Sequence, residues 1–224
     1  MEIQSRATLD KELAKLNSDV LRLASMVDMA IEQAMVALLS RDWELARETI
    51  VNDEEVNNLR FTIEQECLLI LATQQPVASD LRTIITGIHL ATELERIGDH
   101  AAGIARLVER LVGLPEIESF YKLPKMAKRA RGMVEKGIEA FIRRDAELAV
   151  SMVKKDEKLD KHNHRLFRET LEEMREGENV QRATYLLWVG HNLERMGDRA
   201  INIAERVIFM TTGEYVEFTA DAPE

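Results

Sequence analysis

Apolar residues recur along this chain at intervals of three and four, which is the spacing of one face of an α-helix. Glycine, proline and capping acids interrupt the pattern, and these interruptions mark helix ends. Asp42 and Asp145 are the expected N-caps of the second and fifth helices, and Pro76 is the expected first residue of the third. The six predicted helices cover residues 8–40, 42–75, 76–112, 123–143, 145–176 and 179–212.

One short peptide occurs twice in the sequence. Residues 95–105 read ERIGDHAAGIA and residues 194–204 read ERMGDRAINIA, at an offset of 99 residues. Repetition at a long, fixed offset indicates two copies of one structural unit. Further stretches repeat at an offset of 103, namely residues 41–46 with 144–149 and residues 53–57 with 156–160.

The change from 103 to 99 falls at the turn after the second helix of each copy, where a small difference in loop length costs little. We therefore predict an all-α fold of two tandem, sequence-similar three-helix bundles with six long helices. The first bundle is expected over residues 1–114 and the second over residues 115–213. A polar tail over residues 214–224 is expected to be frayed.

The composition supports helix and limits the classes of partner. Only four of 224 residues are proline, and helix formers dominate. A net charge of −10 argues against nucleic-acid binding, which requires a basic surface. The single cysteine excludes an internal disulfide, and no apolar run reaches the ~20 residues that a membrane span needs. We expect a cytoplasmic protein that docks on membranes only peripherally.

Each copy of the repeated peptide carries an acid pair four residues apart, Glu95 with Asp99 and Glu194 with Asp198. The apolar seams, over residues 90–111 and 186–210, run along the opposite side of each helix, so the acids are expected to face solvent. Stacked like charges cost about 0.2–0.5 kcal/mol, and the glycine between them costs about 1 kcal/mol. Selection for stability alone would avoid this combination.

Helix register predicts further oxygen ligands beside each pair. With a rise of about 1.5 Å per residue, Asp53 and Asn57 would lie level with Glu95 and Asp99 on an antiparallel neighbour. Such sets suit hard cations such as Mg²⁺, Mn²⁺, Ca²⁺ or iron. In the second copy, His191 lies three residues before Glu194 and could add a nitrogen, whereas the first copy has Thr92 at that position. The plainer alternative is that these acids are only solvated. The equivalent set in the second copy is Asp156, Asp160, Glu194 and Asp198.

The tandem Glu-Arg-Ile/Met-Gly-Asp peptides, the segment QPVASDLR at residues 75–82 and the Arg-Asp-x-Glu-Leu-Ala helix starts resemble the PhoU family. The resemblance covers about residues 8–212. It implies a cytoplasmic negative regulator of high-affinity phosphate uptake and phosphate-responsive signalling. Such a regulator would link a Pst-type ABC transporter, through its PstB-type ATPase, to a PhoR-type sensor histidine kinase. A homodimer is also expected.

The resemblance further implies iron or zinc bound in surface clusters at E/DxxxD motifs. The first copy departs from that pattern at Asn57, where a second aspartate would complete the motif begun by Asp53. A neutral amide contributes less charge, so the two copies are expected to differ in cation affinity. The positions that match the motif are Glu95 with Asp99, Asp156 with Asp160, and Glu194 with Asp198.

Two other functions compete with this hypothesis. One is a helical metal-binding or scaffold protein that regulates a different transporter. The other is a di-metal carboxylate enzyme, which needs inward-facing Glu-x-x-His motifs. No Glu-x-x-His occurs in the sequence, so we expect no catalytic residues and no enzymatic activity.

Overall fold

The computed structural model describes residues 2–115, 120–153, 157–175 and 180–218, and these residues form helices and connecting segments without a strand. The single helix expected over residues 145–176 corresponds to two helices, on either side of residues 154–156, which lie outside the described part. The helices are α1 (Glu2–Ser40), α2 (Trp43–Gln74), α3 (Ala78–Val112), α4 (Leu123–Arg143), α5 (Ala146–Val153), α6 (Glu157–Arg175) and α7 (Val180–Thr212).

Equivalent aspartates begin the second helix of each copy, as predicted. The Asp42 carboxylate accepts a hydrogen bond from the Leu45 backbone N–H at 3.0 Å. The Asp145 carboxylate accepts one from the Leu148 N–H at 2.9 Å. Each bond satisfies a backbone donor that has no partner inside its helix, so both acids act as N-caps.

The predicted start of α3 at Pro76 is wrong by two residues. Gln75 ends α2 in the left-handed conformation, with φ 48° and ψ 54°. Val77 is extended, with φ −125° and ψ 160°, and is the N-cap of α3. The chain reverses direction across this connection, and Pro76 lies within the reversal rather than in the helix.

The core forms along α3 and α7, the third helix of the first unit and the last helix of the second. All residues of the two predicted seams are buried, which confirms the side of each helix that faces the core. Burial of these apolar side chains is the main stabilising contribution to the fold. The seams comprise Leu90, Leu94, Ile97, Ala101, Ile104, Val108 and Leu111 in α3, and Leu186, Val189, Leu193, Met196, Ala200, Ile203, Val207 and Met210 in α7.

The two units meet where α3 packs antiparallel to α7. Residue numbers rise along α3 as those of its partners fall along α7, so the peptide repeat lies near the centre of this interface. Three contacts mark the register: Arg82 Nε donates to the Met210 carbonyl at 3.1 Å, Thr86 Oγ1 donates to the Arg206 carbonyl at 3.3 Å, and His100 Nδ1 lies 3.1 Å from Asn192 Oδ1.

The described part of the C-terminal tail packs back on the bundle, contrary to the expectation that it is frayed. Tyr215 stacks on Phe209 with ring centroids 4.4 Å apart. The Phe218 backbone N–H donates to Glu205 Oε1 at 2.8 Å. Residues 214–218 therefore cover one flank of α7.

Within the described chain, α1 alone is long and apolar enough to cross a membrane by length and composition. Core helices pass the same test, and Leu23, Val27 and Ile31 of this stretch are fully buried in the bundle. Of the most apolar 18-residue stretch of α1, however, only 39% is buried. The helix thus carries apolar residues on its outer side as well.

Candidate metal centre

The first candidate cluster forms where α2 crosses the Glu95–Asp99 turn of α3. Asp53 is half-buried and points at Gly98, where a Cβ atom would lie 3.4 Å from Asp53 Oδ1. The same Cβ would lie 3.2 Å from Val56 Cγ1, closer than most Cβ contacts. The glycine between the acids therefore admits α2 to this face of α3, and Asp53 lies level with both acids as helix register predicted.

Electrostatic repulsion couples the three carboxylates of this cluster. Burial, followed by the negative charges of Asp99 and Glu95, raises the pKa of Asp53 to about 6, although Arg106 opposes the shift. Burial and the charge of Asp99 also raise the pKa of Glu95, and Arg60 opposes that shift. A site that raises carboxyl pKa values in this way gains free energy when a cation neutralises it.

The prediction that Glu95 faces solvent is wrong. Its side chain is only 17% exposed, and Arg60 Nη2 of α2 lies 3.5 Å from Glu95 Oε1. Arg60 also pairs with Glu64 at 2.8 Å. The apolar seam indicates a single core-facing side of α3, whereas α3 packs against α1, α2 and α7, so little of its surface is left open. Asp99 is exposed, as predicted.

The second copy of the peptide has local partners on α7 itself. His191 Nδ1 lies 3.3 Å from Glu194 Oε2, and Arg195 Nη1 donates to Asp198 Oδ2 at 3.0 Å. Glu194 is 32% exposed, about twice as much as Glu95. The predicted neighbours of Glu194 are Asp156 and Asp160. Asp156 lies outside the described residues, and the side chain of Asp160 is also outside the described part.

Two arginines near the first cluster were missed by sequence reasoning. Arg60 follows Asp53 by seven residues on α2, and Arg106 follows Asp99 by seven on α3. A spacing of seven is two helical turns and places each arginine on the face of the acid that precedes it. The signal was therefore present in the sequence.

The donor set of the first cluster suits a hard cation. Asp53, Glu95 and Asp99 provide carboxylate oxygens, Asn57 is half-buried one turn further along α2, and the exposure of Asp99 admits water as a further ligand. The placement of these side chains is a separate matter: across the described ranges, no three or more His, Cys, Asp or Glu side chains, these three carboxylates included, are grouped so that they could hold a metal ion. The metal role of all eight predicted residues stays a prediction.

Comparison with known proteins identifies the family. The family model for the PhoU domain matches the chain twice, over residues 20–108 and 123–207. One match lies in each half of the sequence, which confirms the tandem repeat. The predicted boundaries at residues 114 and 213 stay predictions.

Relatives and solved structures agree with the family model over nearly the whole chain. A Clostridium acetobutylicum protein named phosphate-specific transport system accessory protein PhoU homolog is 34% identical over 95% of this chain and 98% of its own length. A Pseudomonas putida protein of the same name is 36% identical over 90% of this chain and 80% of its own length. The crystal structure of the phosphate transport system regulatory protein PhoU from Streptococcus pneumoniae matches with a TM-score of 0.87 and 34% identity, over 94% and 100% of the two chains.

Proposed function

Because this chain belongs to the PhoU family, we propose that it is a cytoplasmic negative regulator of high-affinity phosphate uptake and phosphate-responsive signalling. It acts without catalysis, by contacting the PstB-type ATPase of a Pst-type ABC transporter and a PhoR-type sensor histidine kinase. The observation that carries the proposal is similarity along nearly the full length to proteins named as accessory proteins of phosphate-specific transport.

Metal binding at the acidic clusters is the second part of the proposal. In the first unit, Asp53, Glu95 and Asp99 hold the cation with Asn57. The support is the raised pKa values of Asp53 and Glu95, which arise first from burial and then from the charge of Asp99, since a bound cation offsets both effects. Iron or zinc is expected from the family, and Mg²⁺, Mn²⁺ or Ca²⁺ also suits oxygen ligands. The second-unit ligands are Asp156, Asp160, Glu194 and Asp198.

The cation has a structural role in this proposal. Asp53 lies on α2 and Glu95 on α3, so one ion bound to both links the two helices. Linkage to a ligand stabilises the folded chain in proportion to the logarithm of the ligand concentration. Metal occupancy would thereby change the rigidity of the surface that the partners meet.

Deletion of the gene tests the regulatory part. In phosphate-rich medium the deletion strain should express its phosphate-responsive genes at the level that wild-type cells reach only during starvation. A plasmid copy should restore repression. Unchanged expression of a phosphate-responsive reporter would refute the regulatory role, and altered uptake of a different solute would favour the transporter alternative.

Metal analysis tests the cation part separately. Protein purified without chelators should carry bound metal, or bind it on titration with Fe²⁺, Zn²⁺, Mn²⁺ or Mg²⁺. Replacing Glu95 and Asp99 by their amides, together with Glu194 and Asp198, should abolish that binding and leave the helical circular dichroism unchanged. Absence of metal from the wild-type protein, and of binding on titration, would refute the metal centre.

A further inference from the structure

A groove of about 920 Å³ runs between α1 and α4, the first helices of the two units. Its walls follow α1 from Leu21 to Leu39 and α4 from Pro124 to Glu139. At about 1.5 Å per residue, the longer wall extends roughly 27 Å. The groove lies away from the acidic clusters and has no part in the metal proposal.

The α1 wall of this groove exposes large apolar side chains. Leu21, Val36 and Leu39 line the groove and are 46%, 48% and 43% exposed. Residues of α1 that point the other way, such as Val27 and Leu38, are buried in the core. The helix is therefore apolar on two sides, which accounts for its membrane-like composition and leaves one apolar side uncovered in the described chain.

Carboxylates outnumber cations along the groove. The α1 wall contributes Asp28 and Glu32, and the α4 wall contributes Glu135 and Glu139, against Lys128 and Arg131. This local excess of acids has the sign of the whole chain, whose net charge is −10. A ligand with basic flanks is thus attracted both to the protein and to the groove.

One guanidinium already occupies the acids of the α1 wall. Arg131 Nε and Nη2 donate to the two Asp28 oxygens at 2.6 and 2.7 Å, and Nη2 also lies 3.1 Å from Glu32. This bidentate pair connects the walls, which belong to different units. Arg143 likewise pairs with Glu139 at 2.9 Å. An incoming cation therefore meets Glu135, which is exposed, and Glu32, whose side chain stays 57% exposed beside Arg131.

We propose that this groove docks an amphipathic α-helix of a protein partner, with an apolar face flanked by arginine and lysine. The apolar face covers Leu21, Val36 and Leu39, and the basic flanks pair with Glu135 and Glu32. Helical walls of this length match an amphipathic helix laid between them. The inference stands on the groove alone and does not depend on which transporter the protein serves.

Gly132 provides a way to fill the groove without disturbing the fold. It lines the groove on α4, and a Cβ placed on it meets no atom within 4 Å. Gly132→Trp should therefore occupy the docking space, and it removes a helix-weakening glycine. Gly113 is a matched control, because a Cβ there also meets nothing within 4 Å and it does not line the groove.

The test measures binding of fluorescent peptides of about 18 residues, which span roughly 27 Å as a helix. One peptide carries leucines at i, i+3, i+4 and i+7 with arginine and lysine flanks. A second keeps the leucines and carries glutamate flanks, and a third scrambles the basic sequence. Fluorescence anisotropy with purified full-length protein should give binding to the basic amphipathic peptide at least about tenfold tighter than to either control.

Groove variants decide where that peptide binds. Gly132→Trp and Leu39→Ser should each weaken binding by at least about tenfold, whereas Gly113→Trp and Leu68→Ser, at a leucine of α2 that is 61% exposed against 43% for Leu39, should not. Far-ultraviolet circular dichroism and the melting temperature establish that each variant is folded. Equal binding of the basic and acidic peptides, or undiminished binding to Gly132→Trp, would overturn the proposal.

A second copy of the chain is the competing occupant of the groove. Sedimentation equilibrium distinguishes it, because a dimer formed through the groove would dissociate in Gly132→Trp and in Leu39→Ser but not in Gly113→Trp. That result would overturn the partner-helix proposal. If the wild-type protein and the three variants share one oligomeric state, and the basic amphipathic peptide binds most tightly, both results support the proposal.

Discussion

The two copies of the Glu-Arg-x-Gly-Asp peptide share a sequence but differ in their surroundings. In the first copy, Glu95 is 17% exposed and contacts Arg60 from the neighbouring helix. In the second, Glu194 is 32% exposed and contacts His191 on its own helix. The repeat thus determines where an acid lies along its helix, whereas the helix packed beside it determines the charges that the acid meets.

The sequence of the second helix in each copy accounts for part of this difference. At an offset of 103, Arg60 corresponds to Asn163 and Asn57 corresponds to Asp160. The second copy therefore lacks the arginine that occupies the first cluster and has one more carboxylate. Because cation affinity rises with the negative charge of the ligand set, we expect the second copy to bind hard cations more tightly.

The largest expected effect comes from neutralising each copy in turn. Glu194→Gln with Asp198→Asn should remove the tighter Mn²⁺ site. The dissociation constant of the tightest site that remains should then be at least about tenfold higher than in the wild-type protein. The same change at Glu95 and Asp99 should remove only the weaker site. Isothermal titration calorimetry measures both. If the variant at Glu95 and Asp99 loses the tighter Mn²⁺ site instead, the first copy is the stronger cation binder and the expected order of the two copies is wrong.

The next effect should come from giving the first copy the residues of the second. Asn57→Asp completes the carboxylate motif and should raise the Mn²⁺ affinity of the first site about tenfold, which corresponds to about 1.4 kcal/mol. Adding Arg60→Asn should raise it further, since Arg60 competes for Glu95 and Glu64. Without metal, both variants should melt at lower temperature, because an extra carboxylate adds repulsion. Unchanged affinity would mean that charge does not explain the difference between the copies.

The sequence was sufficient to predict an all-helical fold, the repeat and the side of α3 and of α7 that faces the core. Apolar spacing determines these features directly, and every seam residue of α3 and α7 is buried. The N-caps at Asp42 and Asp145 were predictable because capping uses a local hydrogen bond. Local chemistry thus predicted local structure.

The surroundings of Glu95 could not be predicted in the same way. Its burial depends on α2, whose Arg60 lies against it, and periodicity within one helix does not reveal how many neighbours that helix has. The raised pKa of Asp53 has the same origin, because it requires the approach of α2 at Gly98. The contacts of residues 214–218 with α7 were not predicted, because the expectation of fraying rested on the polar composition of the tail and not on Tyr215 and Phe218.

The pH dependence of stability should distinguish the first cluster from ordinary surface acids. The pKa of Asp53 is about 6 in the folded protein and about 3.9 when unfolded. The folded state thus binds the proton more tightly, so stability falls as pH rises from about 4 to 6. After discounting for its half-exposed position, Asp53→Asn should raise the metal-free unfolding free energy by about 1 kcal/mol at pH 7.5 and by much less at pH 4.

Urea denaturation at the two pH values, in the presence of a chelator, measures this effect. Glu54→Gln, at the exposed residue next to Asp53, is the control and should change stability by less than about 0.5 kcal/mol at either pH. An equal gain for Asp53→Asn at pH 4 and pH 7.5 would show that proton binding is not the cause.

The smallest expected effect is that of Gly98→Ala, which tests whether close approach of α2 defines the first cluster. Alanine contributes about 1 kcal/mol of helix propensity. Its Cβ would lie 3.2 Å from Val56 Cγ1 and 3.4 Å from Asp53 Oδ1, so α2 must shift by a few tenths of an ångström. These terms oppose each other, and the net change in unfolding free energy should stay within about 0.5 kcal/mol.

Gly132→Ala provides the reference for that prediction, because its Cβ meets nothing within 4 Å. It should stabilise the protein by about 0.5–1 kcal/mol through helix propensity alone. The difference between the two variants measures the packing cost at Gly98. Since the shift moves Asp53 away from Glu95 and Asp99, Gly98→Ala should weaken Mn²⁺ binding at the first site a few-fold and leave the second unchanged. If Gly98→Ala stabilises as much as Gly132→Ala and preserves Mn²⁺ affinity, the glycine is not what brings the three carboxylates together.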